Sequence, residues 1–171
     1  MNFFVKHATI TLKIIGWIQI IGGITGLYLI AYLLLRTDAI TGPVLLLFLI
    51  GLGLFIFSIY CGTKLLFSHS IQTGIILSLI NQALQFLQWG MFGYELVYSS
   101  GMELVIGLKG LSLSGNFAVV TSNFAMEINS TGTFLLKINL IAVFIFIVLI
   151  TIYRNLKASP QPDETSNIVE Q

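Results

Sequence analysis

The stretch at 79–96 reads LINQALQFLQWGMFGYEL, and its Asn81, Gln82, Gln85 and Gln88 are amides in otherwise apolar surroundings. A carboxamide donates through its nitrogen and accepts through its oxygen without carrying charge. Such groups suit a binding site for a polar solute or lipid headgroup, a proton path, or bonds between helices. A proton- or ion-coupled path would call for a buried acid, base or histidine beside the amides. None lies near the middle of the run, Glu95 falling about one turn from its outer edge, which turns the question from catalysis to contact.

Other reactive side chains are sparse. His7 and His69 both fall at the edge of an apolar run, with no acidic cluster near them, so they read as interfacial and solvated histidines. Glu95, Glu103 and Glu127 would form a cation site only if a hairpin gathered them. Cys61 is the single cysteine, which excludes intramolecular disulfides, CxxC redox chemistry and all-cysteine metal sites; inside an apolar run it reads as a packing residue. The sequence has no Walker lysine loop, no G-x-S-x-G elbow and no H-E-x-x-H helix. The expectation is a protein with no catalytic residues, no metal site and no cofactor.

The chain that positions these groups has 171 residues, of which 56% are hydrophobic and 9% charged. Its mean hydropathy is +0.95. A soluble domain carries roughly a quarter charged residues, so the composition points to an integral membrane protein. A net charge of +1 gives no basic surface for nucleic acid.

Four apolar runs approach the roughly 20 residues that a membrane helix needs, at about 14–35, 44–67, 71–96 and 134–153. The second opens after Gly42-Pro43, and Ser68 or Ser70 is placed to cap the third. The first is too long for a signal-peptide core and lacks a small-x-small cleavage site. Lys6, Lys13, Lys64, Arg154 and Lys157 fall on one side, and Arg36, Lys109 and Lys137 on the other. The positive-inside rule then puts both termini in the cytoplasm of a multi-pass cell-membrane protein. The loop pattern, with a short first turn, a tight second and a long third, is similar to that of tetraspanins in topology alone. The Cys-Cys-Gly motif of that family has no counterpart here, and the family is not assigned.

The expected fold is an all-α integral membrane protein, a four-transmembrane-helix antiparallel bundle. One membrane domain covers 1–157, with an extracytoplasmic β-hairpin in loop 97–133 between helices 3 and 4. The polar tail 158–171 reads as disordered. In the loop, Met102, Leu104, Ile106 and Leu108 alternate with Glu103, Val105, Gly107 and Lys109, and Gly115-Asn116 supplies turn residues. Its greasy face should cover the bundle mouth, a lipid surface or a partner. Asn129-Ser130-Thr131 matches a glycosylation acceptor.

Helical spacing gathers Gly74, Ser78, Asn81, Gln85, Gln88, Phe92 and Glu95 on one stripe of the third run, flanked by Gln82 and Trp89. Gln19 with Gly16, Gly22, Gly23 and Gly26 forms a matching face on the first, and Gly51, Ser58, Cys61 and Gly62 a small-residue face on the second. Asn139 lies at the depth of Gln88 and could bond to it; Glu95 and Lys137 could pair at the outer interface. Tyr94 and Tyr98 read as an outer aromatic belt, Trp17, Tyr60 and Tyr153 as an inner one. The stripe of Gln19, Ser78, Asn81, Gln82, Gln85, Gln88 and Asn139 is thus either helix packing or a binding site. The two functions to weigh are an accessory or interaction subunit, contacting lipid and a membrane partner through the hairpin, and a binder or carrier of a small neutral solute or lipid. Oligomeric state is not encoded in any of these patterns.

Overall fold

The structure is a computed structural model that describes residues 3–37, 39–68, 70–91, 94–109, 112–128 and 135–158. In chain order its elements are α1 (Phe3–Arg36), α2 (Gly42–Phe67), α3 (Ile71–Phe86), β1 (Leu87–Met91), β2 (Tyr94–Lys109), β3 (Ser112–Ile128), β4 (Leu135–Asn139) and α4 (Leu140–Ala158). Three helical segments are long and apolar enough to cross a membrane: His7–Arg36, Gly42–Phe67 and Leu140–Ala158. Their outward faces carry large apolar side chains, among them Tyr28 at 73% exposure and Phe144 at 66%. That surface matches lipid, which needs no polar cover. The glycosylation triplet, His69 and the tail beyond Ala158 lie outside the described residues.

The expected third span is corrected. α3 ends at Phe86 after 16 residues, about 24 Å of helix and short of the ~30 Å hydrocarbon core. Gly90 and Gly93 lie just beyond, each about 1 kcal/mol less favourable than Ala in a helix. The chain instead enters β1, which pairs with β4 through Leu87↔Ile138, Gln88↔Lys137, Trp89↔Leu136 and Gly90↔Leu135. β4 in turn takes residues expected to open the fourth helix. At the other end of α3, Ser70 stands just before the helix, its hydroxyl 3.0 Å from the Thr73 hydroxyl, while Ser68 accepts from the Ser70 amide at 3.1 Å.

The hairpin is thereby part of an antiparallel four-stranded sheet in the order β1-β4-β2-β3, with a further β1–β2 pairing. Its reversal falls between Lys109 and Ser112, which face each other; Gly115 and Asn116 sit within β3, opposite Ile106 and Val105. This moves the turn five residues earlier than the Gly-Asn signal suggested, because the earlier reversal aligns Leu108 with Leu113 and keeps the pairing continuous along β2. β1 is antiparallel to the start of β2, β4 is antiparallel to its end, and β1 and β4 are antiparallel to each other. Those relations are compatible only if β2 changes direction along its length. The change coincides with Gly101, at φ +106°, where the register also shifts and leaves Val120 of β3 as the extra residue.

This bend is driven into the helices rather than lying over them. A Cβ on Gly22 of α1 would come 2.2 Å from the Gly101 nitrogen, and one on Gly101 would come 2.8 Å from the Ile18 carbonyl oxygen. Both glycines therefore permit backbone-to-backbone approach. The other glycines of the α1 face meet α2: Gly16 lies against Gly62 and Leu66, Gly23 against Phe55 and Ile59, and Gly26 against the Phe55 ring.

Two apolar clusters result. One, at the end where α1 begins and α4 finishes, joins Ala8, Leu12 and Ile15 of α1, Leu65 of α2, Ile75 of α3, and Ile145, Leu149 and Ile152 of α4. The other joins Ile30 of α1, Phe55 of α2 and Tyr98 of β2, with the Phe55 and Tyr98 rings tilted at 57° and their centroids 5.7 Å apart. Between the clusters lies the polar layer.

Candidate functional site: a buried polar layer

Gln19, Ser58, Ser78, Asn81, Gln82, Gln85, Gln88, Ser99, Ser100, Glu103 and Asn139 are all buried. α3 supplies Ser78, Asn81, Gln82 and Gln85 because they recur on one helical face, while Ile80, Ala83 and Phe86 point outward. α1 supplies Gln19 and α2 supplies Ser58. The bend of β2 contributes Ser99 and Ser100, which fall within the expected external loop 97–133.

The hydrogen bonds thread these elements together. Ser78 donates to Gln19 Oε1 at 3.1 Å, and Ser58 donates to the Gln19 carbonyl oxygen at 3.1 Å. The hydroxyls of Ser58 and Ser100 are 3.0 Å apart. Asn81 donates through Nδ2 to Ser58 Oγ at 3.2 Å, and its Oδ1 lies 3.1 Å from the Tyr98 hydroxyl. That hydroxyl is also 3.0 Å from the Leu54 carbonyl oxygen. The Ser100 amide donates to Gln85 Oε1 at 2.9 Å, so a glutamine takes the place of a sheet partner for inserted backbone. Every polar group at such a depth must be met within the protein or by water.

Tyr98 is thus not a belt residue; it is 3% exposed and closes the layer from the Phe55 side. Glu103 is 4% exposed and accepts from the Ser99 hydroxyl. Its burial corrects the expected face of the hairpin. Past the bend, Glu103, Val105 and Gly107 turn inward, while Ile106 and Leu108 are each 45% exposed. A greasy strand face turns inward in water, but lipid is as apolar as leucine and removes that preference. The polar face is then the one that has to find partners inside.

Asn139 takes a role that spacing did not assign. Its Oδ1 accepts from the amides of Ile141 at 3.2 Å, Ala142 at 3.4 Å and Leu104 at 3.3 Å. It caps α4 and ties that helix to β2. The signal was present as an asparagine just before an unbroken apolar run. The expected Gln88–Asn139 bond does not form through either amide nitrogen, although the register places both side chains on one sheet face, Asn139 lying two residues beyond Lys137, the partner of Gln88. Glu95, at the start of β2, lies opposite Gly90 of β1, whereas Lys137 of β4 lies opposite Gln88 of β1 and Gly107 in the later part of β2, so the two are not register partners; the Glu95 side chain lies outside the described residues.

The layer's decisive feature is what remains open. Gln19 Nε2, Gln85 Nε2, Gln88 Nε2 and Asn139 Nδ2 are buried and have no hydrogen-bond partner among the described residues. All four are donors, so the layer presents a deficit of acceptors. An unpaired buried donor costs about 1–3 kcal/mol. Among the described residues no group of three or more His, Cys, Asp or Glu is placed to hold a metal ion. Neither a protein-family model, nor a curated protein, nor a solved structure matches the chain.

Proposed function

We propose that this chain is a non-catalytic multi-pass membrane protein whose buried layer binds a small neutral ligand rich in hydrogen-bond acceptors, such as a carbonyl-bearing solute or the ester region of a lipid. The observation that supports this reading is the set of four unmet amide donors between two apolar clusters. Amides serving only to join helices would exhaust both donor and acceptor on neighbours, as Asn81 does. A neutral ligand fits better than an anion, because the Glu103 carboxyl lies in the same layer. α3 and the sheet together make the fourth passage of the chain, and both termini lie in the cytoplasm. Supporting that orientation, Ala8 and Ile152 share one apolar cluster, and Lys13, Lys64, Arg154 and Lys157 lie towards that end of their helices.

The test is native mass spectrometry of the full chain extracted in mild detergent, compared with the double variant Gln85→Leu and Gln88→Leu. A small-molecule adduct on the wild type that the variant lacks is the expected result. A bare wild type, with a variant of equal or higher thermal stability, would make the amides mere packing residues.

A second reading keeps the chain as an accessory subunit of a membrane assembly. The exposed Ile106, Leu108 and Phe117, the last at 61%, favour it, as does the position of β3 at the edge of the sheet. Affinity capture at native expression that returns only the lone chain would count against it.

A further inference from the structure

We infer that the groove between α1 and α4 is a seat for one acyl chain of an anionic phospholipid. The two helices make little direct contact with each other, and the gap between them is a recess of about 490 Å³ lined by Thr11, Ile14, Ile18, Met102, Phe144 and Val148, among others. A second recess of about 250 Å³, which also touches Thr11 and Val148, extends it past His7 and Thr151 to Ile152. The walls are almost wholly apolar. This inference stands apart from whatever fills the polar layer and requires only that the chain sits in a membrane.

Length and charge select the occupant. From His7 to Ile18 on α1, and from Ile152 to Ile141 on α4, the groove follows eleven helical steps, about 16 Å on either helix. Half of a ~30 Å hydrocarbon core is about 15 Å, so the groove has about the length of one acyl chain, and Met102 of the β2 bend closes its far end. The open end is basic. His7 lines it from α1, and on α4 the stripe of Ile147 and Thr151 leads on to Arg154. Neither α1 nor α4 contains an acidic residue that would repel a phosphate. The headgroup of an anionic phospholipid sits against Arg154 and His7, and its chain runs towards Met102. Lys157 follows three residues on, one turn further along the same stripe of α4, whereas Lys64, in the last turn of α2, lines neither recess.

The experiment mixes the full chain in mild detergent with phosphatidylglycerol or phosphatidylcholine and reads retained lipid by native mass spectrometry. The wild type should retain phosphatidylglycerol over phosphatidylcholine by about fivefold, the effect of one cation near an anionic headgroup. Arg154→Gln should remove most of that preference, and Lys64→Gln, with the same charge change off the groove, should keep it. Ile14→Trp, on an outward groove wall at 55% exposure, should lower retention of both lipids, with circular dichroism confirming that it folds. Equal retention of the two lipids by the wild type would overturn the assignment. So would equal losses in the Arg154 and Lys64 variants, an Arg154→Gln variant that keeps the preference, or a folded Ile14→Trp variant that retains lipid like the wild type.

Discussion

Gly22→Ala tests whether the β2 bend is seated in the helices. The added methyl carbon would fall 2.2 Å from the Gly101 nitrogen, 2.5 Å from the Ser100 carbonyl carbon and 2.6 Å from the Gly101 Cα. All three are backbone atoms, so no side chain can swing aside, and helix or strand must move by about 1 Å to restore ordinary contact. The movement would also disturb the Ser122 hydroxyl, which donates to the Gly22 carbonyl oxygen at 2.5 Å and lies 2.7 Å from the Thr25 hydroxyl. Overpacking of this kind costs typically about 1–3 kcal/mol, and a rigid backbone obstacle belongs at the upper end. Helix propensity returns about 1 kcal/mol, leaving a net loss of about 2 kcal/mol. Gly53→Ala is the matched control, since nothing lies within 4 Å of its new methyl, and it should gain up to about 1 kcal/mol. Thermal unfolding in detergent, followed by circular dichroism, should therefore move in opposite directions for the two variants. A Gly22→Ala protein as stable as Gly53→Ala would mean that the strand does not lie against α1.

Further variants probe the layer and its supports. Tyr98→Phe removes the hydroxyl that meets both Leu54 O and Asn81 Oδ1 and should lower stability by about 1 kcal/mol or somewhat more; no change in the unfolding midpoint would count against the network. Asn139→Ala should cost about 1–2 kcal/mol through loss of the α4 cap, whereas Asn139→Asp, which keeps the accepting oxygen, should cost less in the same assay. Phe55→Ala empties a fully buried site in the cluster with Ile30 and Tyr98 and should cost about 3–5 kcal/mol. Phe144→Ala, at 66% exposure, should shift the midpoint far less.

The long apolar runs made three of the helices legible, because an 18-residue greasy stretch with few charges has few other uses. The inward stripe of α3 was legible as far as Gln85, where 100° spacing and observed burial agree. Gln88 is buried too, but on a strand, where alternation rather than helical spacing sets its direction. The end of α3 could not be read from local pattern because its strand partner, β4, lies some fifty residues further on. The orientation of β2 was hidden for a different reason. Glu103 and Ile106 follow the alternation of a strand, yet which face is buried depends on whether water or lipid lies outside. Ser99 and Ser100 gave no signal, since their burial depends on a glycine-to-glycine contact between α1 and β2.

The central claim is that the amide layer holds acceptors that the chain itself does not supply. A high-resolution experimental structure of the full chain in a lipid nanodisc measures this most directly. The account predicts density for water or ligand oxygen at about 2.7–3.2 Å from Gln19 Nε2, Gln85 Nε2, Gln88 Nε2 and Asn139 Nδ2. A dry layer in which those nitrogens pair with protein carbonyls would contradict it.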